Sequence, residues 1–199
     1  MGRGRSHSVI AMFLVGSGYR RRPEAATAPE SNPSVSICYL LRDMPCDPGL
    51  TLTLEPADTT TSGELQRAFF ADIAARYPGW DPGQSQGADP FELGPPGGAW
   101  LVVYIDGRPV GCGGLKAHNR ETAEVRRLFL DQSARGRGIG RWLLQELESR
   151  ARQLGYQRLR LTTGDRQPEA LGLFQAAGYL DIPAFNGNLF TRHWMEKTL

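Results

Sequence analysis

Between residues 124 and 154 a strand-like run passes through a glycine-rich turn into a helix-like run, and no other feature restricts the fold as much. Glu124 to Leu130 reads as a strand. From Gly138 to Leu154, Ile139, Leu143, Leu144, Leu147, Ala151 and Leu154 recur at helical spacing, and Gly155 supplies a stop. The turn between them is Arg135-Gly136-Arg137-Gly138-Ile139-Gly140. The first N–H groups of a helix have no partner within the helix, and the helix dipole makes that end electropositive. A strand–glycine loop–helix unit is therefore suited to hold a phosphate or another anion. Gly136, Gly138 and Gly140 let the backbone approach a ligand closely, and Arg135, Arg137 and Arg141 add charge. A Walker A loop would end in Gly-Lys-Ser/Thr, which is absent here. A dinucleotide loop would space its glycines Gly-x-Gly-x-x-Gly at the first strand of a domain, which also fails. On these six residues alone, an exposed glycine turn with solvated arginines stays open as the bland reading.

Residues 1–49 read as a poorly ordered tail. Pro23, Pro29, Pro33, Pro45 and Pro48, with serine and alanine between, give no period. The apolar run Val9 to Gly16 is too short to span a membrane, and Arg20-Arg21-Arg22 follows it with no small-residue cleavage site. A single folded domain is expected over 50–199. Leu50 to Leu54 alternates as a half-buried strand. Ser62 to Tyr77 reads as a helix, capped by Ser62, with Leu65, Phe69, Ile73 and Tyr77 on one stripe. Residues 78–98 are rich in glycine and proline and predict a long loop. Trp100–Ile105 and Pro109–Leu115 read as a hairpin around Asp106-Gly107. A strand over Arg158–Thr162, a helix from Pro168 to Ala177 ended by Gly178, and one or two edge strands between Leu189 and Lys197 complete the chain. Hairpins come first and crossovers after. The expected class is α/β of the α+β type, with a central mixed sheet of six to seven strands and helices on both faces.

Three blocks resemble the GCN5-related N-acetyltransferase (GNAT) superfamily. Arg135-x-x-Gly138-x-Gly140 is similar to its Arg/Gln-x-x-Gly-x-Gly/Ala signature, Ala123 to Leu130 to its central strand, and Pro168 to Tyr179 to its late helix and Leu-Tyr-x-x-x-Gly-Phe segment. The likeness covers roughly residues 50–199. It implies a GNAT fold and direct transfer of an acetyl group from acetyl-CoA to a primary amine. The pyrophosphate would lie on Arg135, Gly136, Arg137, Gly138, Ile139, Gly140 and Arg141. The backbone of Leu128, Phe129 and Leu130 would bond the pantetheine arm, and one N–H there would stabilise the oxyanion, an effect of about 3 kcal/mol in comparable sites. Gln167 stands where relatives often carry an asparagine that bonds the same arm. Glu124, eleven residues before Arg135, is the implied general base; pairing with Arg126 is its alternative. Many relatives have an acidic tyrosine where this chain has Phe174, so Tyr179 becomes the candidate acid, with core packing as its alternative.

The rest of the sequence bounds the chemistry. Net charge is +2, too small to argue for nucleic acid. Cys38, Cys46 and Cys112 are odd in number and form no Cys-x-x-Cys, and His7, His118 and His193 have no ligand spacing. No metal is expected, and a reducing cytoplasm is the default. A ping-pong thiol at Cys112 would need a base such as His118 beside it. Phe69, Phe70 and Trp80 fall where relatives often build the acceptor wall, and Thr163 is a candidate contact at the strand end. The expected partner is a small-molecule or peptide amine, not nucleic acid or membrane, and a homodimer fits the resemblance. Two alternatives stay open: a non-catalytic acyl-CoA-binding module, suggested by Phe174, and a nucleotide-dependent oxidoreductase.

Overall fold

A computed structural model describes residues 47–81, 88–188 and 190–199. The tail expected over 1–49 lies outside the described residues up to position 46, as do residues 82–87 and Leu189. In chain order the elements are β1 (Leu50–Leu54), α1 (Thr60–Arg76), β2 (Ala99–Ile105), β3 (Arg108–Ala117), β4 (Thr122–Leu130), α2 (Ile139–Gln153), β5 (Arg158–Thr163), α3 (Pro168–Ala176), β6 (Leu180–Asp181) and β7 (His193–Thr198). They build a seven-stranded sheet in the order β1-β2-β3-β4-β5-β7-β6. Only the β4–β5 pair is parallel; the others are antiparallel. The expected mixed sheet is thus present.

The alternation of β2 decides how the layers stack. Leu101 and Val103 point into a core shared with Leu143, Leu144 and Leu147 of α2 and Phe174 of α3. Trp100 and Val102 point the other way, against Leu65 of α1, Leu93 and Phe129. Helices therefore cover both faces, and a strand buried on both sides becomes a continuous apolar run. Leu93 belongs to a short 3-10 helix, Pro90–Leu93, capped by Asp89, inside the segment expected to be only loop. The Asp106-Gly107 turn has positive φ at both residues, 50° and 76°, as a type I′ hairpin requires.

Two expectations change. Thr59, not Ser62, caps α1: its hydroxyl accepts from Ser62 N–H at 3.1 Å, while Ser62 Oγ donates to the Pro56 carbonyl at 2.9 Å. The C-terminal strand is not at an edge. β7 pairs with β5 along six residues and with the two-residue β6 on its other side. β6 itself is too short to leave a periodic signal.

Glycines in β3 let the two layers close. A Cβ at Gly114 would lie 2.8 Å from both Trp100 Cε3 and Leu93 Cδ2. Both side chains are fully buried, so neither can yield cheaply. Gly114→Ala is expected to cost about 1–3 kcal/mol of stability, read as a lower urea midpoint at unchanged slope.

Candidate active site

β4 and β5 run together only at their starts. Thr122, Ala123 and Glu124 pair with Arg158, Leu159 and Arg160. Beyond Glu124, β4 pairs only with β3, while Leu161, Thr162 and Thr163 of β5 pair only with β7. The strands therefore splay into a V. A bulge in β4 accompanies the splay. Cys112 faces Phe129 and Gly114 faces Arg126, so Gly113 alone opposes both Arg127 and Leu128. Arg127 takes φ 52°, in the left-handed region. A non-glycine residue held there costs of order 1–3 kcal/mol.

The glycine loop lies at the far end of the V. No side chain caps α2, whose N-cap is Gly138 at φ 79°. A Cβ at Gly136 or Gly138 would meet no atom within 4 Å, whereas one at Gly140 would lie 3.5 Å from Leu130 Cδ1 and 3.7 Å from Leu173 Cδ2. The loop therefore borders open space on one side and β4 and α3 on the other. Uncapped N–H groups beside open space fit a pyrophosphate. Ile139 is fully buried, so only its backbone can serve a ligand. Arg135 turns inward: Nε donates to the Leu130 carbonyl at 2.9 Å and Nη2 to Asp72 at 3.2 Å. Arg137 pairs with Asp47, and Arg141 is exposed on the first turn. Arg135 thus holds the loop in place, and Arg137 already has a carboxylate partner.

On the α1 face of the sheet the V opens into a cleft that is open to solvent. Phe69, Phe70 and Ile73 of α1, with Tyr77 and Trp80 after it, form one wall. Val125, Arg126 and Arg127 of β4 face Thr162, Thr163 and Gly164 at the end of β5. Gln167, Asn188, Phe190 and Thr191 close the side. The Tyr77 hydroxyl accepts from Arg166 N–H at 2.9 Å, and Gln167 Oε1 accepts from Thr163 Oγ1 and Gly164 N–H, each at 3.4 Å. Burial pushes the Tyr77 phenol above its usual range.

Not every expected residue meets at this cleft. Phe69, Phe70, Trp80, Thr163 and Gln167 do. Glu124 sits just inside the point where the strands part, nearly buried, with Oε1 2.7 Å from Arg126 Nη1. Its pairing alternative is therefore present, and Arg126 carries the contact to the cleft wall. Tyr179 needs correction. Gly178, at φ 87°, ends α3 and turns the chain so that Tyr179 enters the core on the α2 face. Its ring meets that of Phe174 edge to face with centroids 6.0 Å apart, is 2% exposed, and lies across the sheet from the α1 face. Burial pushes its phenol far above the normal range, so it is not placed to protonate anything in the cleft. Cys112 is fully buried and desolvation raises its thiol strongly, while His118 is exposed and 3.1 Å from Arg160. No thiol–imidazole pair forms. Among the described residues no cluster of three or more metal-binding side chains occurs, and no helix is long and apolar enough to cross a membrane.

Arg127, Asn188, Phe190 and Thr191 escaped the sequence reading. Gly111-Cys112-Gly113-Gly114 in β3 was a usable signal for Arg127, because glycines inside a strand often mark a bulge. The other three come from a loop with no periodicity, delivered by the β5–β7 pairing.

Residues 64–179 match the model of the acetyltransferase (GNAT) family, and the chain belongs to that family. An IAA acetyltransferase of Azospirillum brasilense is 37% identical over 87 residues, which cover 43% of this chain and 57% of that protein. The chain spans about half the length of the curated relatives it matches. Its fold is similar to a GNAT-family acetyltransferase of Staphylococcus aureus, with TM-score 0.64, 15% identity, and coverage of 75% of this chain and 98% of that one. A GNAT-family acetyltransferase of Elizabethkingia anophelis with acetyl-CoA bound aligns with TM-score 0.53 at 17% identity over 76% of this chain and 99% of that one.

Proposed function

We propose that this protein transfers the acetyl group of acetyl-CoA directly to the primary amine of an acceptor bound in the aromatic cleft. The observation that carries this reading is the V between β4 and β5. It has an uncapped helix N-terminus at one end and a walled cleft on the α1 face. In this reading the pyrophosphate rests on the N–H groups of residues 136–141, with the side chain of Arg135 bracing the loop. The pantetheine arm follows the unpaired edge of β4 at Leu128, Phe129 and Leu130, and Gln167 faces it from the head of α3. A backbone N–H of β4 receives the charge that develops on the acetyl oxygen.

The acceptor nitrogen attacks the thioester carbon. A C–N bond forms and the C–S bond breaks. The amine proton leaves through water to Glu124, and the departing thiolate takes a proton from solvent. A thiolate with a conjugate-acid pKa of about 8.5 needs no dedicated acid, which agrees with Phe174 and Tyr179 both lying in the core. Direct transfer is favoured over an acetyl-cysteine intermediate because Cys112 is sealed from the cleft by its burial.

Two measurements test this. Calorimetry with acetyl-CoA is expected to show one site per chain; folded protein that takes up none at millimolar ligand overturns the reading. Thiol release with a panel of amines is expected to give turnover, whereas binding without release on any amine leaves an acyl-CoA-binding module instead.

A further inference from the structure

The charged groups of the cleft point to a class of acceptor. Among the described residues that line it, the charged ones are Arg126 and Arg127, and none is acidic. Arg126 is matched by Glu124. Among the described residues, no carboxylate is in hydrogen-bonding contact with Arg127. Its guanidinium donates to two neutral oxygens, Gln66 Oε1 and the Ala88 carbonyl, the latter at 2.8 Å, and stacks 5.1 Å from the centre of the Phe70 ring. A guanidinium has five N–H donors, more than these two bonds use. The nearest acidic influence is Asp89, whose carboxylate is committed to capping the 3-10 helix through Phe91 N–H. Burial and the neighbouring Arg126 charge together lower the pKa of Arg127, which marks it as a poorly compensated cation.

Two features make this arrangement specific. The backbone of Arg127 is held at φ 52° by the β4 bulge, a conformation maintained at a cost in stability. The bulge is what directs this side chain to the cleft rather than into the sheet. The remaining wall is aromatic and apolar: Phe69, Phe70, Tyr77, Trp80 and Phe190. An acceptor that satisfies both features carries an anionic group for Arg127 and a flat or branched apolar body for the rings.

Resting on the acetyltransferase reading above, we infer that the acceptor is a small carboxylate-bearing primary amine with an aromatic or branched apolar body, its carboxylate held by Arg127. An α-amino acid with such a side chain has this chemistry. A polyamine meets repulsion there and a carboxamide leaves Arg127 uncompensated.

The test uses L-phenylalanine, L-phenylalaninamide and spermine as acceptors, and N-acetyl-L-phenylalanine against its amide as ligands in calorimetry. The acid is expected to be used, and its acetyl product bound, at least about tenfold better than the amide, since one charge-assisted hydrogen bond is lost. Spermine is expected to be the poorest acceptor. Arg127→Gln should bring the acid-to-amide ratio close to one. Arg127→Lys, which keeps the charge, should retain part of it. Equal or better use of the amide or of spermine by the wild-type protein overturns the inference, as does wild-type protein that binds neither acetylated probe. An unchanged ratio in Arg127→Gln overturns the assignment to Arg127. Failure of the underlying acetyltransferase reading is registered separately, by the acetyl-CoA titration.

Discussion

Gly138→Leu abolishes acetyl-CoA binding, with an expected weakening of at least about a hundredfold in calorimetry. Under the proposed function the N–H groups around Gly138 bond the pyrophosphate, and each charge-assisted bond of that kind contributes about 1.5–3 kcal/mol. A side chain at position 138 would project into space where no protein atom lies within 4 Å. It would therefore displace the ligand rather than the protein. Gly138 also has φ 79°, so any side chain adds about 1–2 kcal/mol of backbone strain. Gly155→Leu separates the two effects. Gly155, just past the other end of α2, has φ 88° and the same open surroundings. Both variants should melt a few degrees low, but Gly155→Leu should bind acetyl-CoA normally. Equal loss of binding in the two would mean that strain, not occlusion, is responsible, and the phosphate assignment would fail.

Glu124→Gln is expected to lower kcat by about a hundredfold or more at saturating substrates, the usual contribution of a general base. The acetyl-CoA dissociation constant should not move, because Glu124 lies at the start of the V and not at the loop. Glutamine keeps a hydrogen-bond acceptor for Arg126, so the wall of the cleft stays in place. The rival role is purely structural: Glu124 neutralises Arg126 at 2.7 Å. Arg126→Gln distinguishes them. If the ion pair alone matters, both substitutions slow the reaction equally. If Glu124 accepts the proton, Glu124→Gln lowers kcat far more than Arg126→Gln does.

Local chemistry made much of this protein legible before any folding was considered. The strand over 50–54, the Asp106-Gly107 hairpin and the stripe from Ile139 to Ala151 announce themselves by period and by turn residues, since each depends on near neighbours. Ser62 against Thr59 shows the limit of that approach. Both are good caps within one turn, and the choice followed from Ser62 finding the Pro56 carbonyl instead. Tyr179 illustrates a larger gap. Its spacing from Phe174 says nothing about direction, and the turn at Gly178 sends Tyr179 into the core that Phe174 already occupies from α3.

The glycine loop, its helix and the strand before it are legible in residues 124–154, because the proposed phosphate cradle is built from consecutive backbone groups, although Asp72 of α1 braces the loop through Arg135. The acceptor cleft is different. Its walls come from α1, the β4 bulge, the end of β5 and the loop before β7, separated by up to 122 positions between Phe69 and Thr191. Only strand pairing brings them together: β5 joins β7 on one side and leaves β4 on the other. The direction of Arg127 depends on which β3 residues it faces, a property of register rather than of sequence spacing. The proposed anion cradle is therefore largely a local property of the chain, while the cleft proposed to take the acceptor exists only once the sheet has formed.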